Sequence, residues 1–200
     1  MFTGIVTARG ILREKILTGG DYRLRIECND LDLGSARQGD SISVSGACLT
    51  MLEPDESGFF ADVSQETLQL TGLGQVDVGN AVNLELALGL DDKLGGHLVT
   101  GHVDGRATLL SRVEDARAER FEFQVPDHLA RSVARKGSVC LDGGSLTVNE
   151  VTGSRFSVCL IPHTLEITTL GALEPGDEVN FEVDLIARYL ERLMDRGEED

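Results

Sequence analysis

A thiol and a hydroxyl occupy matching places in two similar segments of this chain. Residues 46–50 read Gly-Ala-Cys-Leu-Thr, and residues 143–147, at an offset of 97, read Gly-Gly-Ser-Leu-Thr. A thiol or hydroxyl can hydrogen-bond to a ligand, or it can add to an electrophilic carbon. The two segments therefore predict two versions of one pocket, with Cys48 in the first version and Ser145 in the second.

Other polar residues recur, or change type, at the same offset. Thr50 and Thr147 recur beside glycine-rich strand ends, where hydroxyls suit directed hydrogen bonds to a polar ligand. Because an imidazole titrates near neutrality, His102 is a candidate proton shuttle. The exchanges that distinguish the copies are Ile5 for His102, Ser45 for Asp142, Cys48 for Ser145 and Glu66 for His163.

Three other chemistries fit these residues less well. His97 and His102 lie in a glycine-rich stretch, but no Cys-x-x-Cys pair or His-Glu-x-x-His helix accompanies them, which weighs against a metal site. Ser145 lacks the Gly-x-Ser-x-Gly elbow of a hydrolase. The Gly-Gly-His stretch at 95–97 lacks the helix and lysine of a phosphate loop.

The offset of 97 extends over most of the chain and indicates a tandem duplication. Residues 3–6 match residues 100–103, residues 78–85 match residues 175–182, and about twenty positions are identical. A duplicated module of this size predicts two small domains rather than one. Their linker is expected near residues 90–96.

Each copy contains six short apolar or alternating runs broken by Gly, Asp and Asn, together with short helical pieces. This pattern is typical of antiparallel strands. So few residues can bury a core only if the sheet closes on itself. We therefore predict an all-β fold of two tandem six-stranded Greek-key barrels, at residues 1–89 and 97–184.

A segment without a counterpart in the first copy follows the second barrel. Residues 185–196 place Leu185 or Ile186, Tyr189, Leu190 and Leu193 at helical spacing behind Asp184, a candidate N-cap. The apolar stripe predicts a C-terminal helix used for self-association, with packing against its own barrel as the alternative.

Composition restricts the partners and the compartment. The net charge of −16 and pI near 4.5 disfavour nucleic acid and anionic membranes as partners. The chain shows no apolar span and no secretory leader, so a cytoplasmic location is expected. Its four cysteines should remain free thiols there, and Cys28, Cys140 and Cys159 lie in strand-like runs typical of small buried residues.

Taken in order, these motifs identify a family. The segments 1–6, 46–50, 95–105, 142–147 and 161–165 together resemble riboflavin synthases of the α-chain type, from Met1 to the terminal helix. The resemblance implies dismutation of two 6,7-dimethyl-8-ribityllumazine molecules by four-carbon transfer, giving riboflavin and 5-amino-6-ribitylaminouracil. It also implies that no cofactor or metal is needed, and that a homotrimer forms through the C-terminal helices, with each site between the N-terminal barrel of one subunit and the C-terminal barrel of its neighbour.

The resemblance also assigns roles to matched residues. Cys48, His102 and Ser145 would be catalytic, although hydrogen bonding and transient covalent addition by Cys48 or Ser145 are not distinguished. Asp184 matches a family carboxylate near the site and fits a helix N-cap equally well. The substrate-binding residues would be Gly4, Ile5, Val6, Cys48, Leu49, Thr50, Asp62, Val63, Ser64, Gln65, Glu66, Thr67, Gly101, His102, Val103, Lys136, Ser145, Leu146, Thr147, Leu160, Ile161, Pro162, His163, Thr164, Leu165 and Asp184.

One residue departs from the family pattern, which more often has Asn where Ser45 stands, so the fine geometry near Cys48 is open. Two further classes remain as alternatives. A non-catalytic lumazine or flavin carrier would use the same double barrel, but such carriers tend to lose the catalytic-type motifs in one copy. A flavin-dependent reductase would need a nicotinamide-binding domain, for which the chain has no room.

Overall fold

The fold is seen in a computed structural model that describes residues 1–194. The first copy contains β1 (Ala8–Thr18), β2 (Asp21–Glu27), β3 (Ser41–Val44), β4 (Ala47–Thr50), β5 (Leu52–Asp55), β6 (Gly58–Val63), α1 (Gln65–Leu70) and β7 (Ala81–Leu86). The second contains β8 (Gly105–Asp115), β9 (Ala118–Gln124), α2 (Asp127–Ala130), β10 (Ser138–Leu141), β11 (Gly144–Thr152), β12 (Arg155–Leu160), α3 (Pro162–Ile167) and β13 (Glu178–Val183). The helix α4 (Leu185–Met194) follows, and 3-10 turns at Gly72–Gly74 and Thr169–Ala172 follow α1 and α3.

Both copies form antiparallel barrels, as predicted. In the second copy the strands close in the order β10-β11-β12-β9-β8-β13, with β13 paired to β10. The first copy has the same order, but its counterpart of β11 is divided at Met51 into β4 and β5, so seven strands are counted. The matching position in β11 carries a bulge between Val148 and Glu150, which bends one continuous strand instead of dividing it.

Each copy wraps around its own apolar core. The first core includes Leu24, Ile26 and Phe59, and the second includes Phe121 and Phe123. Alternation along the strands places these side chains inside and most of the charged ones outside. One predicted helical piece is missing from the first copy: residues 30–33, which match α2, are not helical.

Equivalent residues pair with each other where the copies meet. Phe2 and Val99, which are related by the offset of 97, exchange two backbone hydrogen bonds of 2.8 and 3.1 Å. The Asn83 amide donates to the Asp142 carbonyl oxygen (2.9 Å), and the equivalent Asn180 amide donates to the Ser45 carbonyl oxygen (2.7 Å). The two barrels are therefore related by an approximate twofold axis and joined by polar contacts.

Asp142 breaks this symmetry, because its counterpart Ser45 has no charge. Asp142 and Ser45 both adopt φ of 43°, in the turns before β11 and β4, and the backbone N–H of Asn180 donates to the Asp142 carboxylate at 2.7 Å. Burial raises the pKa of Asp142 to about 7, against the opposing effect of that hydrogen bond. A raised pKa means that the folded state favours the protonated acid, so Asp142 costs stability as pH rises from about 4 to about 7.

Asp142→Asn is expected to remove this loss. The variant should exceed the parent protein's unfolding free energy by on the order of 3 kcal/mol near pH 8, and should match it near pH 4. Asparagine keeps an oxygen for Asn180 and tolerates the left-handed backbone. Urea unfolding at both pH values measures the difference, and Ser45→Asn is the control because it changes the same turn without removing a charge. A difference that is independent of pH would contradict the assignment to the Asp142 carboxyl.

The helix α4 ends the described chain, and the last two residues of the predicted helix, 195 and 196, lie outside the described residues. Its polar side contacts the second copy, where Ser132 donates to Glu191 at 2.9 Å and Arg188 donates to Asp104 at 3.0 Å. Its apolar stripe stays exposed. Within residues 1–194, no helix is both long and apolar enough to cross a membrane.

Candidate functional site

The chain's first residues connect the two barrels at Ser145. The Glu85 carboxylate, on β7 of the first barrel, accepts three hydrogen bonds, from the backbone N–H and the hydroxyl of Thr3 (both 2.6 Å) and from the Gly4 N–H (3.0 Å). The Gly4 carbonyl oxygen then accepts the Ser145 N–H at 2.7 Å on β11 of the second barrel. One copy therefore supplies a wall of the other copy's pocket.

The equivalent segment of the second copy, residues 100–101, crosses to Cys48 of the first barrel. The Glu182 carboxylate accepts the N–H and hydroxyl of Thr100 (2.8 and 2.6 Å) and the Gly101 N–H (2.9 Å). The Gly101 carbonyl oxygen accepts the Cys48 N–H at 2.8 Å. Burial raises the pKa of both Glu85 and Glu182, although the hydrogen bonds they accept oppose this effect.

Glycine is required where these segments approach the reactive side chains. Gly4 and Gly101 have φ of 75° and 79°, a left-handed conformation that other residues rarely adopt. A Cβ atom at Gly4 would lie 2.5 Å from the Ser145 Cβ, and one at Gly101 would lie 2.5 Å from the Cys48 Cβ. In each recurring Thr-Gly pair, the threonine hydroxyl anchors the segment to a buried glutamate, and the glycine lets the backbone approach Ser145 or Cys48 closely.

Cys48 opens onto a cleft of about 420 Å³, large enough for a small-molecule ligand. Copy-one residues form one side and the crossing segment forms the other, so Cys48 and His102 lie in the same cleft. The lining residues are Ala47, Cys48, Glu66, Thr67, Leu70, Thr71, Gly101, His102, Val103, Asp104 and Arg188. Six of the predicted binding residues are among them.

Arg188 connects α4 to this cleft. Its guanidinium donates to the His102 carbonyl oxygen at 3.2 Å and to the Asp104 carboxylate at 3.0 Å, and Asp104 also accepts the Val183 N–H. Burial raises the pKa of Asp104, and the nearby Arg188 charge opposes that effect. The helix and the backbone of His102 are therefore held together.

Ser145 belongs to a second set of residues. Its hydroxyl lies 2.7 Å from Nδ1 of His97, a residue of the linker between the copies. The predicted residues His163 and Thr164 lie in α3, the counterpart of α1, which carries Glu66 and Thr67 of the first cleft. His97 thus contacts Ser145, whereas His102 lines the Cys48 cleft, and the two histidines do not form a pair.

Several predicted binding residues point their side chains away from both pockets. Val6, Leu49, Val63 and Leu160 are buried, so only their backbone atoms are available to a ligand. The Asp62 carboxylate is held by Arg23 at 2.7 Å, which lowers the pKa of Asp62.

The remaining predicted binding residues lie in several different structural environments. Ser64 caps α1, with its hydroxyl accepting the Thr67 N–H, and Gln65 begins that helix. Asp184 accepts the Ile186 N–H at 2.9 Å, which is the helix N-cap contact. Lys136 is exposed at a left-handed turn, with φ of 67°. Ile5, Thr50, Thr147 and Ile161 are exposed, whereas Leu146 and Leu165 pack against the second core, and Pro162 begins α3.

The thiols differ sharply in environment. Burial raises the pKa of Cys28 to about 11 and raises that of Cys140 well above its usual range. Neither thiol is available as a thiolate near neutral pH. Cys48 is half-buried and lines a cleft, so it is the better candidate for chemistry.

Sequence reasoning did not select Glu85, Glu182, His97 or Arg188 as site residues. The two glutamates were visible as an identical pair at the offset of 97. A charged residue repeated in the middle of an apolar strand is rarely buried without partners, and that was the signal that could have found them. The sequence marked His97 only as a candidate metal ligand, and Arg188 has no counterpart in the other copy that would mark it.

Comparison with known proteins identifies the same duplication and a family. The lumazine binding domain family matches residues 3–87 and again residues 100–184, the same offset of 97. The chain is 46% identical to riboflavin synthase from Brucella abortus, over 96% of this chain and 98% of that one. It is 42% identical to riboflavin synthase from Photobacterium phosphoreum (97% and 89% covered) and 35% identical to that from Bacillus subtilis (100% and 92%).

Solved structures show a similar fold. Crystal structures of LumP complexed with 6,7-dimethyl-8-(1'-D-ribityl) lumazine and with riboflavin superpose with TM-scores of 0.82 and 0.84. Each is 26% identical in sequence and covers 92% of this chain and 99% of the LumP chain. The double barrel is therefore a fold that holds lumazine and flavin rings in a related protein.

Proposed function

The chain belongs to the riboflavin synthase family of lumazine-binding proteins, and from this premise we propose that it converts two molecules of 6,7-dimethyl-8-ribityllumazine into riboflavin and 5-amino-6-ribitylaminouracil. One lumazine gives a four-carbon unit to the other. The observation that carries the proposal is the pair of exchanged Thr-Gly segments, which gives each copy a related but chemically different pocket.

Holding two like substrates together accounts for much of the expected rate. Fixing two reactants in a productive orientation is worth about 7–11 kcal/mol in well-oriented cases. The C7 methyl of the lumazine is already acidic, because the carbanion delocalises into the ring. The protein then needs only proton transfer and hydrogen bonds to the anion.

Roles follow for the residues of the two pockets. His102 is exposed in the Cys48 cleft and is suited to move the methyl proton. Cys48 and Ser145 donate hydrogen bonds to the two rings, or add transiently at the ring carbon that becomes electrophilic. Thr67 and Thr164 recur at the start of α1 and α3, where hydroxyls can bind the ribityl chain.

The productive site is proposed to form between two subunits of a homotrimer. Ser145, His163 and Thr164 are not among the residues that line the Cys48 cleft, so one chain does not present both pockets in a single cleft. A neighbouring subunit would bring its second pocket against this cleft. The exposed stripe of α4 is the surface proposed to hold the subunits together.

Incubation of the purified protein with the ribityllumazine alone tests the activity. We expect flavin absorbance to rise without any added cofactor. The structural similarity to LumP raises the alternative of a carrier. Binding of the lumazine without formation of riboflavin would favour that carrier and would contradict the proposed reaction.

Cys48→Ser separates the two roles left open for the thiol. The variant copies the hydroxyl that the second pocket uses at Ser145, so hydrogen bonding is kept and thiol addition is lost. We expect kcat to fall by less than about tenfold, the cost of altering one hydrogen bond. Steady-state kinetics measure it, with Cys159→Ser as the matched control at a half-buried thiol that does not line the cleft. A loss of about a thousandfold would instead indicate covalent addition by Cys48.

A further inference from the structure

Residues 96–97, at the end of the linker between the copies, reach Ser145 and do not line the Cys48 cleft. At Gly96 the backbone passes so close to Ser145 that an added Cβ atom would lie 2.7 Å from the Ser145 Cβ. The next residue, His97, donates its N–H to the Thr3 carbonyl oxygen at 3.1 Å. These contacts fix the imidazole against the Ser145 hydroxyl, with Nδ1 at 2.7 Å from Oγ.

The other imidazole nitrogen is unsatisfied. Nε2 of His97 is buried and has no hydrogen-bond partner among the described residues. Burial lowers the pKa of His97, against the opposing effect of Asp184, the charged group that acts on this ring. The ring is therefore neutral at neutral pH and carries one N–H. A buried N–H without a partner is rarer in proteins than an unsatisfied acceptor, which places the proton on Nδ1 and leaves Nε2 as a bare acceptor.

From this geometry we propose that His97 is a positioning residue, which donates its Nδ1–H to Ser145 Oγ and so directs the Ser145 hydroxyl proton at the substrate. The C-terminal pocket then binds the deprotonated lumazine, whose methyl proton is taken by His102 of the facing pocket. The inference deepens the function proposed above and rests on it. A hydroxyl that already accepts a hydrogen bond is a better donor, because successive bonds polarise one another. A donor aimed at the delocalised oxygen or nitrogen of the carbanion stabilises it most in the transition state.

The asymmetry follows from the duplication itself. His97 has no histidine as its counterpart, because the offset of 97 places Met194 opposite it. A linker occurs once in a two-copy chain, so its contribution can go to only one pocket. The exchange of Cys48 for Ser145 therefore comes with a second difference, the imidazole that orients the hydroxyl.

Nitrogen NMR of the histidine rings tests the tautomer without reference to activity. The protein is labelled with 15N-histidine, and the signals of His97 are assigned by their loss in His97→Asn, one of only four histidines. We expect protonated Nδ1 and bare Nε2 near neutral pH. The opposite tautomer, or a charged ring, would overturn the proposal even if the protein makes riboflavin.

Kinetics test the consequence for the reaction. His97→Ala should lower kcat about tenfold or more with KM nearly unchanged, because the lost orientation matters mainly in the transition state. His97→Asn keeps an N–H near the Nδ1 position and should recover most of the rate, which a purely structural role would not predict. In a Ser145→Ala background His97→Ala should add little, whereas in Cys48→Ser its full effect should remain.

Two outcomes would refute the positioning role. They are normal turnover in His97→Ala, and an equal effect of that change in the Ser145→Ala and Cys48→Ser backgrounds. If the unaltered protein forms no riboflavin, the proposed function fails instead, and the NMR measurement still reports separately on the contact between His97 and Ser145.

Discussion

Removal of residues from Leu185 onward is expected to convert trimers into monomers and to lower riboflavin formation by at least about a hundredfold. The exposed fractions of Ile186, Tyr189, Leu190 and Leu193 are 66%, 64%, 53% and 61%, and together these side chains form a stripe along α4. Burial of one large apolar side chain contributes about 1.5–3 kcal/mol, so the stripe can supply a stable interface. Loss of the interface removes the neighbouring pocket, and with it the second substrate.

Truncation also removes Arg188, which holds the backbone of His102, so a gentler variant is needed beside it. Tyr189→Ser combined with Leu193→Ser leaves Arg188 and Glu191 in place and disrupts only the stripe. Arg192→Ala is the matched control, an exposed residue of the same helix outside the stripe. Sedimentation velocity gives the oligomeric state, and a truncated protein that still sediments as a trimer would refute the role of the helix.

Complementation separates assembly from the location of the site. His102→Ala impairs the first pocket and Ser145→Ala the second, so each variant alone should turn over slowly. If each site draws one pocket from each of two subunits, trimers reassembled from an equal mixture contain some interfaces with two intact pockets. Riboflavin formation should then exceed that of either variant alone. An absence of recovery in confirmed mixed trimers would place both pockets of a site in one chain.

The sequence predicted the fold well because duplication repeats every signal. The strand runs, the Thr-Gly segments and the apolar stripe each follow from periodicity or from the offset of 97. The division of one strand at Met51 was not predictable, because Met51 and Val148 are both apolar and only the local backbone decides between a break and a bulge.

The candidate site was predicted in part, for a physical reason. The motif residues Cys48, His102 and Ser145 were visible, but which of them share a cleft depends on the crossing of each Thr-Gly segment to the other barrel. No local pattern encodes that crossing. Its anchors, Glu85 and Glu182, act through tertiary hydrogen bonds, and His97 acts through the path of a linker.

Glu182→Ala and Glu85→Ala are each expected to destabilise the fold by about 3–5 kcal/mol, because these two carboxylates anchor the crossing Thr-Gly segments. Each carboxylate accepts three hydrogen bonds from one Thr-Gly segment, and a hydrogen bond to a charged group contributes about 1.5–3 kcal/mol. The energies are not additive, and removing the carboxylate also removes the cost of burying its charge, so the total falls below the simple sum. Urea unfolding near neutral pH measures the loss.

The functional consequence of the two changes should differ by pocket. Glu182→Ala releases Gly101 from Cys48 and His102, whereas Glu85→Ala releases Gly4 from Ser145. Glutamine at either position is the matched control: it keeps the size and one acceptor oxygen, avoids burying a charge, and should cost only about 1–2 kcal/mol. Alanine variants as stable as the glutamine variants would show that the crossing segments are held by the barrel contacts alone. If they are less stable, as expected, the same carboxylates that join the two halves also build both pockets, so folding of the pair and formation of the site are one event.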